Sequence, residues 1–270
     1  MSLTFVSILE QAYPEFGRGL QPNPGSGVVA GGNDTRLKYL TNLAAVRNAT
    51  LHAGIPMWNY FGAGAYVHKG QTHIDSTEAE LRWQMSASIA FGARGLLWFF
   101  FTPEVHKIAE DGPAWPGLVR DDGAADHVTE HWYQARRLNS AVLALAPTLM
   151  QLRSTAALVL RQSDTKWDDE GHPVLRAAGC ALVNISRGDF IVGCFARSKP
   201  ATGARWTRAV VVANFDHADT QWPTVAFDSP DTLEVNAHTG QEQPLVDEVA
   251  GLPGMQLGLL AGGRRLLLLR

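Results

Sequence analysis

The period of the apolar residues changes once along the chain, near residue 155, and this change constrains the fold more than any other feature. Before it, short apolar runs typical of buried strands alternate with segments of helical period. After it, the runs are short, rich in β-formers and separated by turn residues. The first pattern indicates parallel β/α units and the second an antiparallel β-sandwich. We therefore predict an α/β region over residues 1–153, which includes a linker helix, and an all-β region over residues 154–270.

Three strands and three helices are expected in the first region. They are the strands Leu3–Leu9, Ile55–Phe61 and Gly95–Phe101 and the helices 36–52, 76–91 and 128–145. The run Ser76-Thr77-Glu78-Ala79-Glu80 has a capping-box arrangement that favours the start of the second helix, and Pro147 is expected to end the third. Because a complete eight-stranded barrel takes roughly 250 residues, the first region is expected to be a partial (β/α) barrel of about three units.

Short β-type runs separated by turn signals make up the second region. They are Ala156–Leu160, Ala181–Ile185, Phe190–Phe195, Arg208–Asn214, Thr224–Phe227, Thr232–Val235 and Arg265–Leu269. Cys180 and Cys194 lie in apolar, strand-like surroundings, and we expect two buried free thiols in preference to a disulfide. Neither the cysteines nor the histidines have the spacing of a metal site, so no metal is expected.

Composition narrows the classes of partner. The net charge is −3 with no basic stripe, which argues against nucleic acid and anionic membranes. No apolar run approaches the ~20 residues of a membrane-spanning helix. The N-terminal run lacks the basic start and long apolar core of a signal peptide, so a cytoplasmic location is the default expectation. Eight tryptophans suit either a core or the apolar faces of sugars, which stack on flat rings.

Three segments resemble the C-terminal half of glycoside-hydrolase-type (β/α)8 barrels of the broad β-galactosidase-like clan. They are residues 39–60, residues 75–103, which contain the phrase TEAELRWQ, and residues 117–155. The pattern after residue 190 is similar to the small β-sandwich domains that end such enzymes. The resemblance makes the three expected strands the sixth, seventh and eighth of a barrel and leaves the first five without a counterpart.

This resemblance implies hydrolysis of glycosidic bonds in a carbohydrate, without a cofactor. In that clan the two catalytic carboxyl groups are Glu at the ends of strands four and seven. Strand four has no counterpart, and the seventh ends in Trp58-Asn59-Tyr60, so no catalytic residue is assigned. The alternative is a non-catalytic carbohydrate-binding or structural remnant. A missing N-terminal segment, or self-association of two copies, are two ways to complete the barrel.

Five residues near the ends of the expected strands are candidates for carbohydrate binding. They are Tyr13, Trp58, Asn59, Tyr60 and Trp98. Barrel active sites form at the carboxyl ends of the strands, where aromatic rings stack on sugars and an amide binds a hydroxyl. Tyr13 is included because Ala12-Tyr13-Pro14 is similar in position to a phrase of related barrels. Packing beneath the helices is an equal alternative for each aromatic residue of the two later strands.

Overall fold

A computed structural model describes residues 35–64, 66–68, 71–73, 75–99, 101, 117–120, 127–163, 180–186, 188–199, 204–229, 231–245 and 255–270. Within these residues the fold is mixed α/β, with three helices and mostly antiparallel sheets. The expected strand Leu3–Leu9 and the candidate residue Tyr13 lie outside them.

The described elements include the helices and the strands expected after residue 54, in the expected order, together with four short strands that the sequence did not predict. The helices are α1 (Thr35–Ala53), α2 (Glu78–Ala90) and α3 (Glu130–Leu149). The strands are β1 (Trp58–Gly62), β2 (Tyr66–His68), β3 (Gln71–His73), β4 (Gly95–Phe99), β5 (Leu152–Leu160), β6 (Leu182–Ile185), β7 (Phe190–Arg197), β8 (Arg208–Asn214), β9 (Thr224–Phe227), β10 (Thr232–Val235), β11 (Glu242–Pro244), β12 (Met255–Gln256) and β13 (Arg264–Leu269). All seven strands expected in the second region are confirmed, with small shifts of their bounds.

A parallel β/α/β unit lies in the first region. β1 and β4 pair in parallel, with Trp58 opposite Gly95 and Gly62 opposite Phe99, and α2 connects them. β1 begins at Trp58, later than expected, and Pro56 just before it has no N–H to donate to a neighbouring strand. The two strands form a separate two-stranded sheet within the described residues.

The start of α2 agrees with the sequence prediction, whereas the end of α3 does not. Thr77 and Glu80 form the expected capping box of α2: the Thr77 N–H donates to Glu80 Oε2 at 2.7 Å, and the Glu80 N–H donates to Thr77 Oγ1 at 3.3 Å. The prediction that Pro147 ends α3 is wrong, because the helix continues to Leu149. A proline this close to a helix end removes one N–H donor only, and Met150 N–H still donates to Ala146 O at 2.9 Å.

Two further sheets fill the second region. One is six-stranded, in the order β11-β10-β13-β8-β7-β5, and the other is three-stranded, in the order β12-β9-β6. Side chains alternate along β7 as strand geometry requires: Ile191 and Phe195 belong to a hydrophobic cluster shared with the helices, whereas Val192 and Cys194 belong to a cluster shared with the three-stranded sheet. The six-stranded sheet therefore has a hydrophobic cluster on each face.

The helix side of the six-stranded sheet packs closely against α2. A Cβ atom on Gly193 in β7 would lie 2.2 Å from the carbonyl oxygen of Ala90. Gly262 has φ +63°, and a Cβ atom there would lie 2.3 Å from the carbonyl oxygen of Ala79. The expected boundary after residue 153 thus falls inside β5, at the edge of a sheet whose helix-facing side packs against the first region.

The two cysteines form a disulfide, so the expectation of free thiols is wrong. The Cα atoms of Cys180 and Cys194 are 5.2 Å apart, a separation within the usual range for disulfides. Cys194 lies on β7 and Cys180 lies just before β6, on the side of the sheet that faces the three-stranded sheet. Two separate strand-like segments thus meet at this point, which a spacing along the chain does not reveal.

Candidate functional site

The parallel pair β1/β4 has two chemically different faces. Asn59 and Trp98 point toward the helices: Asn59 Nδ2 donates to Tyr39 Oη of α1 and Ser88 Oγ of α2, each at 2.8 Å, and Trp98 Nε1 donates to Asn139 Oδ1 of α3 at 3.2 Å. Trp58 and Tyr60 alternate with Asn59 along β1 and therefore point the other way. The structure does not bring these four candidate residues onto one surface.

The face away from the helices is rich in aromatic residues and exposed. Trp58 is 51% exposed, Leu97 47% and Phe99 37%, and the Tyr60 ring lies 5.9 Å from the Phe99 ring. The Trp58 ring packs over Gly95, where a Cβ atom would lie 2.4 Å from it. These four residues, Trp58, Tyr60, Leu97 and Phe99, are called the aromatic face below. Parallel strands are normally covered on both faces, so this exposure is unusual.

Asn59 is part of a polar network on the helix side of β1, and both hydrogen bonds that its amide donates lie there. Besides receiving the Asn59 bond, Ser88 Oγ donates to the Gln84 carbonyl at 2.7 Å, and Gln84 Oε1 accepts from the Gly62 N–H at 3.2 Å. Burial raises the pKa of Tyr39 to about 12, against the opposing effect of its hydrogen bonds to Ser88 and Asn59. The amide of Asn59 therefore joins β1 to both helices.

Trp98 also makes its contacts on the helix side of the sheet. Its indole N–H bonds to a residue of α3, and its ring packs against the hydrophobic cluster on the helix side. The packing alternative expected from the sequence is thus the one that the geometry favours for Trp98, whereas Trp58 is half exposed and Tyr60 is partly exposed on the opposite face. Alternation along a strand predicts that neighbours point to opposite faces, but it does not say which face the helices cover.

A polar pocket of about 410 Å³ lies where the first turns of α2 and α3 meet. These helices follow β1 and β4, so the pocket belongs to the side of the unit where those strands end. His131 is buried, with Nε2 2.7 Å from Asp75 Oδ1 and Nδ1 2.7 Å from Gln134 Oε1. The Asp75 side chain is 61% exposed. An ionised carboxylate only accepts, so the bond to Asp75 is formed by a state of His131 that has a proton on Nε2.

An ion pair fixes the two helices beside this pocket. Arg137 of α3 donates to both carboxylate oxygens of Glu78 in α2, at 3.3 Å from Nε and 2.8 Å from Nη2. Arg82 lies 3.6 Å from the same carboxylate. The hydrogen bond from Arg137 lowers the pKa of Glu78. The Glu78 carboxylate thus stays charged near neutral pH and joins α3, which carries His131, to α2, which Asp75 precedes.

The sequence did not identify Asp75 and His131 as a pair. They are 56 residues apart, and Asp75 precedes the capping box whose carboxylates have a structural explanation. In the sequence His131 follows His127 by four residues, a spacing that does not relate it to Asp75. No local pattern relates an aspartate before one helix to a histidine in the first turn of another, so only the packing of α2 against α3 brings them together.

Comparison with known proteins identifies no family for this chain. No protein-family model matches the chain, and no curated protein matches it. In the part of the chain that the structure describes, no group of three or more His, Cys, Asp or Glu side chains is placed to hold a metal ion. None of the three described helices is long and apolar enough to cross a membrane.

Proposed function

We propose that this chain binds carbohydrate as part of a glycoside-hydrolase-type architecture, a partial (β/α) barrel followed by an antiparallel β-sandwich. The observation that carries the proposal is the aromatic face. Exposed flat rings on the side of a parallel sheet away from its helices offer the stacking surface that the apolar faces of sugars require. Trp58 and Tyr60 are the residues that contact the sugar.

The arrangement of the elements supports the architectural part of this proposal. β1, α2 and β4 follow one another as a parallel unit, and the helices cover one face of it. The helices then correspond to the outer layer of a barrel, and in a partial barrel the opposite face of β1 and β4 is not fully packed by side chains of other strands. The six-stranded and three-stranded sheets share a hydrophobic cluster, as two layers of a sandwich do.

Binding is favoured over turnover for this chain. β1 ends in Asn59, Tyr60, Phe61 and Gly62, without a carboxylate for a nucleophile. Hydrolysis of a glycosidic bond needs two carboxyl groups placed on either side of that bond. A chromogenic β-galactoside and β-glucoside assay beside the binding measurements separates the two functions, because release of the chromophore would establish turnover.

Replacement of Trp58 tests the proposal directly. In isothermal titration with cello-, manno- and galacto-oligosaccharides, the unaltered protein is expected to bind at least one series, and Trp58→Ala is expected to weaken that binding about tenfold because a stacking surface is lost. Trp222→Ala is the matched control, since Trp222 is 53% exposed and lies in the second region. Binding that is absent, or equally weakened by both replacements, would contradict the proposal.

A further inference from the structure

We propose that the polar pocket between α2 and α3 is a second binding site, specific for a neutral polyhydroxylated ligand such as a single sugar unit. The ligand class rests on the proposed function, whereas the pocket shares no residue with the aromatic face. Its volume of about 410 Å³ falls within the roughly 300–1,000 Å³ of small-molecule sites.

The charges that line the pocket select the ligand. Asp75 and Glu130 contribute carboxylates, and Arg120 contributes an exposed guanidinium group. The wall carries both signs: an anion would face the two carboxylates, and a cation attracted to them would also face Arg120, so neither meets a wall of opposite charge alone. A neutral polyol is not repelled, and each of its hydroxyl groups can donate to a carboxylate and accept from the guanidinium group.

The polar groups are positioned with bonding capacity left for a ligand. His131 holds Asp75 through Oδ1, and no described residue hydrogen-bonds Oδ2. Among the same residues, the Arg120 side chain makes no hydrogen bond or ion pair. Ser76 and Thr129 also line the pocket, and the Thr129 hydroxyl donates to the carbonyl oxygens of Gly117 and Leu118. A carboxylate held by a buried imidazole keeps one orientation, which lowers the entropy lost when a ligand binds.

Saturation-transfer NMR with methyl glycosides tests the site, since it detects weak binding. The probes are the neutral methyl β-galactoside, methyl β-glucoside and methyl α-mannoside, with anionic glucuronate and cationic glucosamine for comparison. At least one neutral glycoside is expected to bind, about tenfold more tightly than either charged sugar. Preference for a charged sugar would overturn the proposal.

Variants decide which site binds. Asp75→Ala and Arg120→Ala are each expected to weaken binding about tenfold, while Trp222→Ala, at an exposed position in the second region, leaves it unchanged. Asp75→Asn keeps a hydrogen bond to His131, so a loss in both Asp75 variants with an unchanged melting temperature reports on the ligand and not on folding.

The possible results separate this proposal from the proposed function. Binding that depends on Trp58 but not on Asp75 or Arg120 overturns the pocket and leaves the aromatic face. Binding that depends on Asp75 and Arg120, with no oligosaccharide bound through Trp58, supports the pocket and overturns the role of the aromatic face. If none of the neutral sugars binds the unaltered protein, both proposals fail.

Discussion

Asn59 shows how one side chain can join three elements. Its amide donates to a hydroxyl group on each of two helices while its backbone lies in β1. Asn59→Ala is therefore expected to lower the free energy of unfolding by about 2–3 kcal/mol, because two hydrogen bonds are lost and Tyr39 Oη is left without that partner inside the protein. Urea denaturation measures the change.

Asn48 provides the control for this replacement. It is exposed on α1 and accepts only a long bond of 3.4 Å from Arg47, so Asn48→Ala should change the free energy of unfolding by less than about 0.5 kcal/mol. If Asn59→Ala were as mild as Asn48→Ala, or if it abolished oligosaccharide binding without loss of stability, the structural role given to Asn59 would be wrong.

Ionisation of Tyr39 makes the free energy of unfolding depend on pH in the alkaline range. Its pKa is raised to about 12 in the folded protein by burial, from an ordinary value of 10.0. A raised tyrosine pKa has no effect below the unfolded value; as pH rises above it, the unfolded chain ionises and the folded one does not, so stability falls. Between about pH 9 and pH 11 the unaltered protein should lose about 1 kcal/mol more than Tyr39→Phe. Urea titrations at both pH values measure the difference, and parallel losses would contradict the assignment.

The elements of this chain were predictable where their signals are local. The capping box placed the start of α2 within a single turn, and period-two runs located the strands of the second region. The prediction from Pro147 was wrong because the free-energy cost of a proline in a helix depends on how many helical residues follow it. Only two residues follow Pro147 in α3. The faces of β1 and β4 were not predictable, since alternation fixes only that Trp58 and Asn59 point apart.

The contact between α2 and β7 depends on the absence of a side chain at Gly193. Gly193→Ala should lower the free energy of unfolding by about 2 kcal/mol or more, because a Cβ atom there meets the carbonyl oxygen of Ala90, and backbone cannot move aside without separating helix from sheet. Thermal and urea denaturation measure the effect.

A matched glycine distinguishes crowding from backbone strain. Gly54 has φ +67°, and a Cβ atom there would meet nothing within 4 Å. Gly54→Ala should therefore cost only the strain of a left-handed residue, about 1 kcal/mol. A smaller loss for Gly193→Ala than for Gly54→Ala would mean that α2 and β7 are not packed as closely as described.

At the scale of the whole molecule, the disulfide holds the segment before β6 against the six-stranded sheet. It joins residues 14 apart in sequence, and a loop of this length corresponds to about 3 kcal/mol of stabilisation by restriction of the unfolded chain. Reductant should lower the melting temperature of the unaltered protein and leave that of Cys180→Ser unchanged. Free thiol in the unfolded, unreduced protein would contradict the bond.

Two residue pairs described above also form only at this scale. Cys180 with Cys194, and Asp75 with His131, become neighbours only after helices and sheets have packed. A single sequence contains the chemistry of each partner but not their distance. Composition and local period therefore predicted which elements form, whereas the pocket required the complete fold.

The hydrophobic cluster on the helix side of the six-stranded sheet takes residues from both regions of the chain: from all three helices and from β7, β8 and β13. Each region thus holds one half of a common interior. A chain divided between α3 and β5 would give two pieces whose apolar surfaces fit each other. The molecule therefore consists of two parts with complementary apolar surfaces. Replacing either part with another sequence would have to preserve the shape of the surface that they share.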